Sequence, residues 1–231
     1  LAPDAGVLDQ LRAGDAVAVV ATDLGYVADA PAATHLLAIG EREVRLVGPG
    51  EFEVRSRESL DAHRPVGSVT LTRPGEEIGA ADRARGILRT SGVVSIAHEM
   101  VGGAATCLAL SLDYVRAREQ FGHPVGAYQA VSHQCVDMFI SIEVARSLAT
   151  YAAWAVSEGH PEQEVAASRA HVAAYEAARL CAERTIQVHG GMGMTHEHSA
   201  HRFLTRAITT AKVLQPVRAS RHMLAARLAA P

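Results

Sequence analysis

Two segments of this 231-residue chain combine glycine with side chains suited to binding an anion or a flat ligand. Glycine lets the backbone approach a ligand closely, and free backbone N–H groups beside it can bind anions. An arginine at a helix end can donate two hydrogen bonds to one pyrophosphate. The two segments contribute Arg118, Gln120, Phe121, Gln129, Gln187, Gly190 and Gly191.

Each signal also has an ordinary structural explanation. A Gly-Gly-x-Gly run such as residues 190–193 often only ends a helix in a tight turn. An arginine at the position of Arg118 is often a solvated cation that suits the negative end of a helix dipole. The functional interpretation therefore rests on the two segments taken together.

The elements that position these segments are long helices. Apolar residues recur every three or four positions, with glycine and proline at the breaks. The pattern predicts helices over residues 80–120, 125–158, 162–188 and 199–230, the last interrupted at Pro216. Long helices joined by short turns are typical of an antiparallel four-helix bundle, so the fold class predicted is mainly α.

The first part of the chain has a different pattern. Short β-rich runs, separated by glycine, proline and aspartate, occur at residues 16–20, 35–39, 44–47, 52–57 and 66–72. They predict a small antiparallel β segment that precedes the bundle. We therefore divide the chain into a shortened β-domain, residues 1–79, and a helical domain, residues 80–231.

Composition excludes several classes of protein. The chain contains 43 alanines and only 4% aromatic residues, which favours helices over an all-β sandwich. The net charge of −3 gives no basic footprint for nucleic acid. No leader peptide or long uncharged apolar run is evident. We expect a protein of the cytoplasm that binds neither nucleic acid nor membrane.

Taken in order, the motifs resemble the C-terminal domain of the flavin-dependent acyl-CoA dehydrogenases. The resemblance covers roughly residues 80–205 and includes the Arg-x-Gln-Phe-Gly turn at 118–122 and the following Gln129-Ala-Val. It continues through Asp137-Met138 to the Gln-x-x-Gly-Gly-x-Gly run at 187–193.

The resemblance implies FAD as cofactor and α,β-dehydrogenation of an acyl-CoA thioester. It implies that the seven residues named above touch the adenosine diphosphate end of an FAD held by a neighbouring subunit. It also implies partners: a protein that accepts the electrons, and further dehydrogenase subunits in a homo- or hetero-oligomer built as a dimer of dimers.

The chain departs from this family at the catalytic base. The usual glutamate position falls at Leu214, and the alternative position on the first long helix falls near Gly92. Glu99 is an acid on that helix, for which a structural ion pair is the simpler interpretation and catalysis the more remote one. Arg206 stands where the family has Asp, Glu or Asn.

Two explanations fit the missing base and the shortened β-domain. The chain is either the base-less subunit of a heteromeric dehydrogenase, of the type that acts on steroid or other bulky CoA thioesters, or part of a longer protein. A rival from another class is a non-catalytic helical scaffold. The histidines at positions 189, 196, 198 and 201 lack the spacing of a zinc site, so no metal is predicted.

Overall fold

The computed structural model describes residues 5–229, which form two compact units, residues 5–88 and 89–229. The boundary predicted from sequence, between residues 79 and 80, falls at the end of the last strand of the first unit and stays a prediction.

The first unit is a small mixed α and β structure. Its elements are α1 (Ala5–Ala13), β1 (Ala18–Ala21), β2 (Val27–Ala28), β3 (His35–Ile39), β4 (Glu43–Val47), β5 (Phe52–Arg57), β6 (Val66–Leu71), β7 (Glu76–Ala80) and α2 (Ala81–Ile87).

The strands form two sheets, in the orders β1-β3-β4-β7 and β2-β6-β5. Four of the five strand pairs are antiparallel, as predicted, whereas β1 and β3 are parallel. The physical reason is the connection over residues 22–34, which includes β2 and a short 3-10 turn. A connection of this length returns the chain to the starting end of β1, so that β3 runs in the same direction.

The second unit is helical. It begins within a π-helical turn (Leu88–Gly92), whose first residue belongs to the first unit, and continues with α3 (Val93–Ala117), β8 (Glu119–Gln120), β9 (His123–Pro124), α4 (Gln129–Ser157), α5 (Gln163–His189), α6 (Ala200–Thr210) and α7 (Val217–Ala229). Helices α3, α4 and α5 pack against one another, and α6 and α7 pack against α5. The predicted bundle is confirmed, with its fourth member divided at Pro216.

Alanine explains how these helices pack. On α4 the buried positions include Ala145, Ala149, Ala152 and Ala155, and α5 carries a similar row. These spacings place one small side chain per turn on the inward face, which lets neighbouring helices approach closely. The core is therefore built from short side chains, filled where space allows by Met138 and Ile142.

One helical stretch among the described residues, Ala81–Ala117, is long and apolar enough to cross a membrane by length and composition alone. Within it, α3 contributes Ile96, Ala97, Met100 and Ala104 to the bundle core. A core helix of this composition passes the same test without a membrane, so the match is weak evidence for a membrane span.

Candidate functional site

The two motif segments lie at the same end of the bundle. Helices α3 and α5 run in the same direction, as two successive contacts between them show. Ser111 donates a hydrogen bond to the hydroxyl of Thr185 at 3.1 Å, and one turn further along both helices Tyr114 stacks on His189 with ring centroids 4.3 Å apart. Both helices end directly after these contacts. We call residues 118–122 and 187–193, where they end, the motif end.

The first part of the motif end is a tight hairpin. Residues Phe121 and Gly122 join β8 to β9 with φ angles of 54° and 81°. Both angles are positive, as a type I′ hairpin turn requires, and this conformation is uncommon for a bulky residue. The turn leaves the ring of Phe121 91% exposed, an apolar surface that packs against nothing in its own hairpin.

Arg118 is held by its backbone and free at its side chain. Its N–H donates to the carbonyl of Tyr114, and its own carbonyl accepts from Val125, each at 2.8 Å. These bonds end α3 and start the hairpin. Within residues 5–229 the exposed guanidinium has no hydrogen bond or ion pair, so the cation is available to a ligand.

The three glutamines of the predicted site are exposed at the same end. The side-chain amide nitrogen of Gln120 donates a hydrogen bond to the backbone carbonyl of Glu119 at 2.7 Å. Gln129 is the first residue of α4, which begins where α3 ends, and Gln187 lies in the last turn of α5. All seven predicted residues are thus brought to one end of the bundle, and their role in binding stays a prediction.

The glycines of the second segment have different physical roles. Gly190 has φ +58°, a conformation that disfavours any L side chain, and a Cβ on Gly193 would lie 2.4 Å from the carbonyl oxygen of Ile186. Gly191 has neither constraint, since a Cβ there would meet no atom within 4 Å. The fold therefore requires Gly190 and Gly193, whereas Gly191 leaves open space.

The histidines nearby form a cluster that the sequence pattern did not predict. His189 is 4% exposed and stacks on His198 with ring centroids 4.2 Å apart, while His196 meets His201 edge-on at 5.2 Å. Burial, together with the charges of His189 and His201, lowers the pKa of His198. Among the described residues, no group of three or more His, Cys, Asp or Glu is arranged to hold a metal ion.

The expected base positions carry no acid. Leu214 lies in the connector, residues 211–216 between α6 and α7, half-buried against the bundle core. Gly92 lies in the π-helical turn. Glu99, on α3, accepts hydrogen bonds from Arg206 at 3.4 Å and from the hydroxyl of Thr210 at 3.2 Å. This geometry is that of a structural ion pair between α3 and α6.

An apolar groove of about 540 Å³ separates α3 from α4 near the motif end. The sequence did not predict this groove, because its apolar residues follow the ordinary periodicity of buried helix positions. Its walls include Leu108, Leu112, Val115, Cys135, Val136 and Phe139.

Known proteins share the sequence motifs and the fold of this chain. Residues 90–215 match the family model described as "Acyl-CoA dehydrogenase, C-terminal domain". The chain is 30% identical over 221 residues to the acyl-CoA dehydrogenase IpdE2 of Mycobacterium tuberculosis. That alignment covers 94% of this chain and 64% of IpdE2, so the chain spans less than two thirds of this relative's length.

Solved structures of the same kind share the fold. The ChsE4–ChsE5 complex from Mycobacterium tuberculosis superposes with a TM-score of 0.77 at 26% identity, covering 94% of this chain and 63% of that one. The structure of a protein described as "Tcur3481-Tcur3483 steroid ACAD G363A variant" also gives 0.77, at 25% identity, covering 92% and 62%.

Proposed function

Because this chain belongs to the acyl-CoA dehydrogenase family, we propose that it takes part in the α,β-dehydrogenation of an acyl-CoA thioester. In this proposal it is a subunit that lends an FAD-binding surface to an active site completed by a partner subunit. The observation that carries the proposal is the motif end, where a free guanidinium, an exposed aromatic ring and an open glycine lie together.

The residues present fit the adenosine diphosphate end of FAD. Arg118 offers a planar fork of N–H donors that matches diphosphate oxygens. The space above Gly191 admits a ligand where a side chain would stand. The exposed ring of Phe121 offers an apolar face to a flat base, and such stacking is favourable.

Each of these residues has a binding or positioning role. With FAD bound, Arg118 would neutralise phosphate charge, and the backbone N–H groups around Gly191 would donate hydrogen bonds to the diphosphate. The side-chain amides of Gln120, Gln129 and Gln187 would orient the other polar groups at this end of the cofactor. When bound, FAD supplies the acceptor for the hydride that leaves the β carbon of the thioester.

The proton at the α carbon needs a carboxylate from elsewhere. A thioester α C–H is a very weak acid, which a desolvated carboxylate can deprotonate. Leu214 and Gly92 cannot act as bases, and Glu99 is engaged with Arg206 and Thr210. We therefore assign the base to a partner dehydrogenase subunit, with the electrons passing to an acceptor protein.

The similar structures support this assembly and its substrate class. One is a complex of two named components, and the other is described as a "steroid ACAD" whose name also pairs two components. By analogy we propose a hetero-oligomer, built as a dimer of dimers, that acts on the CoA thioester of a steroid or similarly bulky acyl group.

The test is flavin content. The tagged chain is purified from its own organism together with the subunits that it binds, and the complex is examined by absorption and by extraction of flavin. We expect flavin absorption that bleaches on addition of a steroidal acyl-CoA. A colourless complex that yields no flavin contradicts the proposal.

The scaffold alternative is favoured by one observation, the lack of any carboxylate in residues 198–231, which include the usual base position. It predicts a flavin-free surface at the motif end. The same purification separates the two functions, because a scaffold subunit leaves the flavin content of its complex unchanged when Arg118 is replaced.

A further inference from the structure

Helix α6 begins beside a pair of stacked histidines. His198 lies two residues before α6, and its Nδ1 atom accepts a hydrogen bond from the backbone N–H of Ala200 at 3.1 Å. The side chain of Ser199, at the N-cap position, makes no capping hydrogen bond. The imidazole of His198 therefore satisfies one of the donors that the start of a helix leaves free.

The hydrogen bonds fix which ring nitrogens carry protons. In His189 the Nδ1 atom lies 2.8 Å from the carbonyl oxygen of Thr185, which can only accept, so Nδ1 is protonated. In His198 the Nδ1 atom accepts an N–H, so it holds a lone pair, and the neutral ring carries its proton on Nε2. Protonating His198 thus places a proton on the very atom that caps α6.

Three effects oppose that protonation. The hydrogen bond to the N–H of Ala200 is lost, and a cation is placed at the positive end of the dipole of α6. The third effect is repulsion by the titratable groups that face His198, which are His189 from α5 and His201 from α6. Tyr114 of α3 stacks on the far histidine of this pair, His189. The acid nearest in sequence, Glu197, is exposed.

We propose that His198 is a pH-sensitive cap whose protonation releases the first turn of α6. Above the ordinary pKa of histidine, about 6.5, the cap is fully formed. As the pH falls below that value, the released state binds a proton more readily than the capped state and becomes more populated. Helix α6 contacts the glycine turn at 190–193, so under the proposed function the released segment adjoins the cofactor surface.

A second histidine provides an internal control. The Nδ1 atom of His160 accepts the backbone N–H of Glu162 at 3.2 Å, just before α5, in the same two-residue geometry. Its ring lies beside Trp154, with centroids 5.5 Å apart. An indole attracts a cation, whereas the histidine beside His198 repels one.

The test is amide hydrogen exchange of the full chain, followed by NMR between pH 5 and pH 7.5 and corrected for the intrinsic exchange rate. We expect the protection of the Ala200 amide to fall by up to about tenfold for each pH unit below about 6.5. Protection that is constant over this range overturns the proposal. The measurement needs neither FAD nor a partner, so it is independent of the proposed function.

Two variants sharpen the test. His198→Asn keeps a side-chain acceptor two residues before Ala200 and cannot titrate, so it should protect Ala200 equally at every pH. His160→Asn should leave the pH dependence at Ala200 unchanged. An unaltered pH dependence in His198→Asn overturns the proposal. If that variant does not fold, the ¹⁵N chemical shifts of His198 in the original chain decide the question. A protonated Nδ1 of His198 together with full protection of the Ala200 amide also overturns the proposal.

Discussion

The motif end and the connector differ in how their polar groups are used. At the motif end the guanidinium of Arg118 and the ring of Phe121 are exposed and make no contact that holds the fold together. In the connector, Gln215 donates to the hydroxyl of Ser220, which is also hydrogen-bonded to the buried His171. The fold leaves the first region available for a ligand and uses the polar groups of the second internally.

This contrast bears on the proposed function, in which this chain offers a cofactor surface and a partner supplies the base. The exposed side chains of Arg118 and Phe121 do not stabilise the bundle and are free to bind a ligand, whereas Gly190 and Gly193 in the same region are required by the fold. At the connector, Leu214 packs against the core, so an apolar residue there benefits the fold directly. The following predictions test whether the two regions really divide binding from stability.

The largest expected effect belongs to Gly193. In Gly193→Ala the new Cβ meets the backbone at Ile186, which cannot move without disturbing α5, so the free energy of unfolding should fall by roughly 3 kcal/mol or more. Urea unfolding followed by circular dichroism measures the loss. A change below about 0.5 kcal/mol would show that the turn is loose.

The next effect is the acid sensitivity of the contact in which His171 of α5 is linked through Ser220 to Gln215 of the connector. Burial lowers the pKa of His171 to about 4. The unfolded chain, with a pKa near 6.5, therefore binds this proton more readily, and stability is lost as the pH falls from about 6.5 to about 4. The loss should be roughly 2–3 kcal/mol.

Urea unfolding at pH 7 and pH 4.5 measures this loss. His171→Gln should reduce the difference between the two pH values, while the exposed His222→Gln on α7 serves as the matched control. Equal pH dependence in the two variants would show that His171 is not the group responsible.

Arg118→Ala tests the motif end. Loss of a charge-assisted hydrogen bond to a phosphate costs about 1.5–3 kcal/mol, so flavin retention by the complex should fall roughly 10- to 150-fold with helix content unchanged. Arg146→Ala, which removes an exposed arginine paired with Glu143 on α4, should retain flavin. Full retention by Arg118→Ala would remove this residue from the site.

Glu99→Gln should have the smallest effect. The carboxylate and its partner Arg206 are each about one third exposed, with side-chain exposures of 36% and 34%, so the pair contributes about 0.2–1 kcal/mol to stability. Turnover of the complex, measured with an acyl-CoA, should change less than about tenfold. A loss of several orders of magnitude would instead make Glu99 the base.

The sequence predicted the helices well because their cores depend on a regular spacing of alanine, with Gly159 and Gly190 at the breaks. It also predicted that the segments around Arg118 and Gly190 belong together, through the family resemblance. The parallel pairing of β1 with β3 was missed, since short apolar runs do not encode strand direction.

The histidine cluster was missed for a different reason. His189 and His198 are nine residues apart in the chain, and they meet only because the glycine turn reverses its direction. Neither periodicity nor spacing reports such a contact. The partners of Glu99 were equally invisible, because Arg206 and Thr210 come from a helix about a hundred residues further on.

The most direct test of the account is the flavin content of a complex that carries Gly191→Ala, measured alongside its thermal unfolding. The new methyl group meets no protein atom, so the melting temperature of the isolated chain should be unchanged. If the space is occupied by FAD, the methyl group costs about 1–3 kcal/mol of binding, and flavin retention should fall roughly 5- to 150-fold. Full flavin retention with unchanged stability would contradict the assignment of the motif end as a cofactor surface.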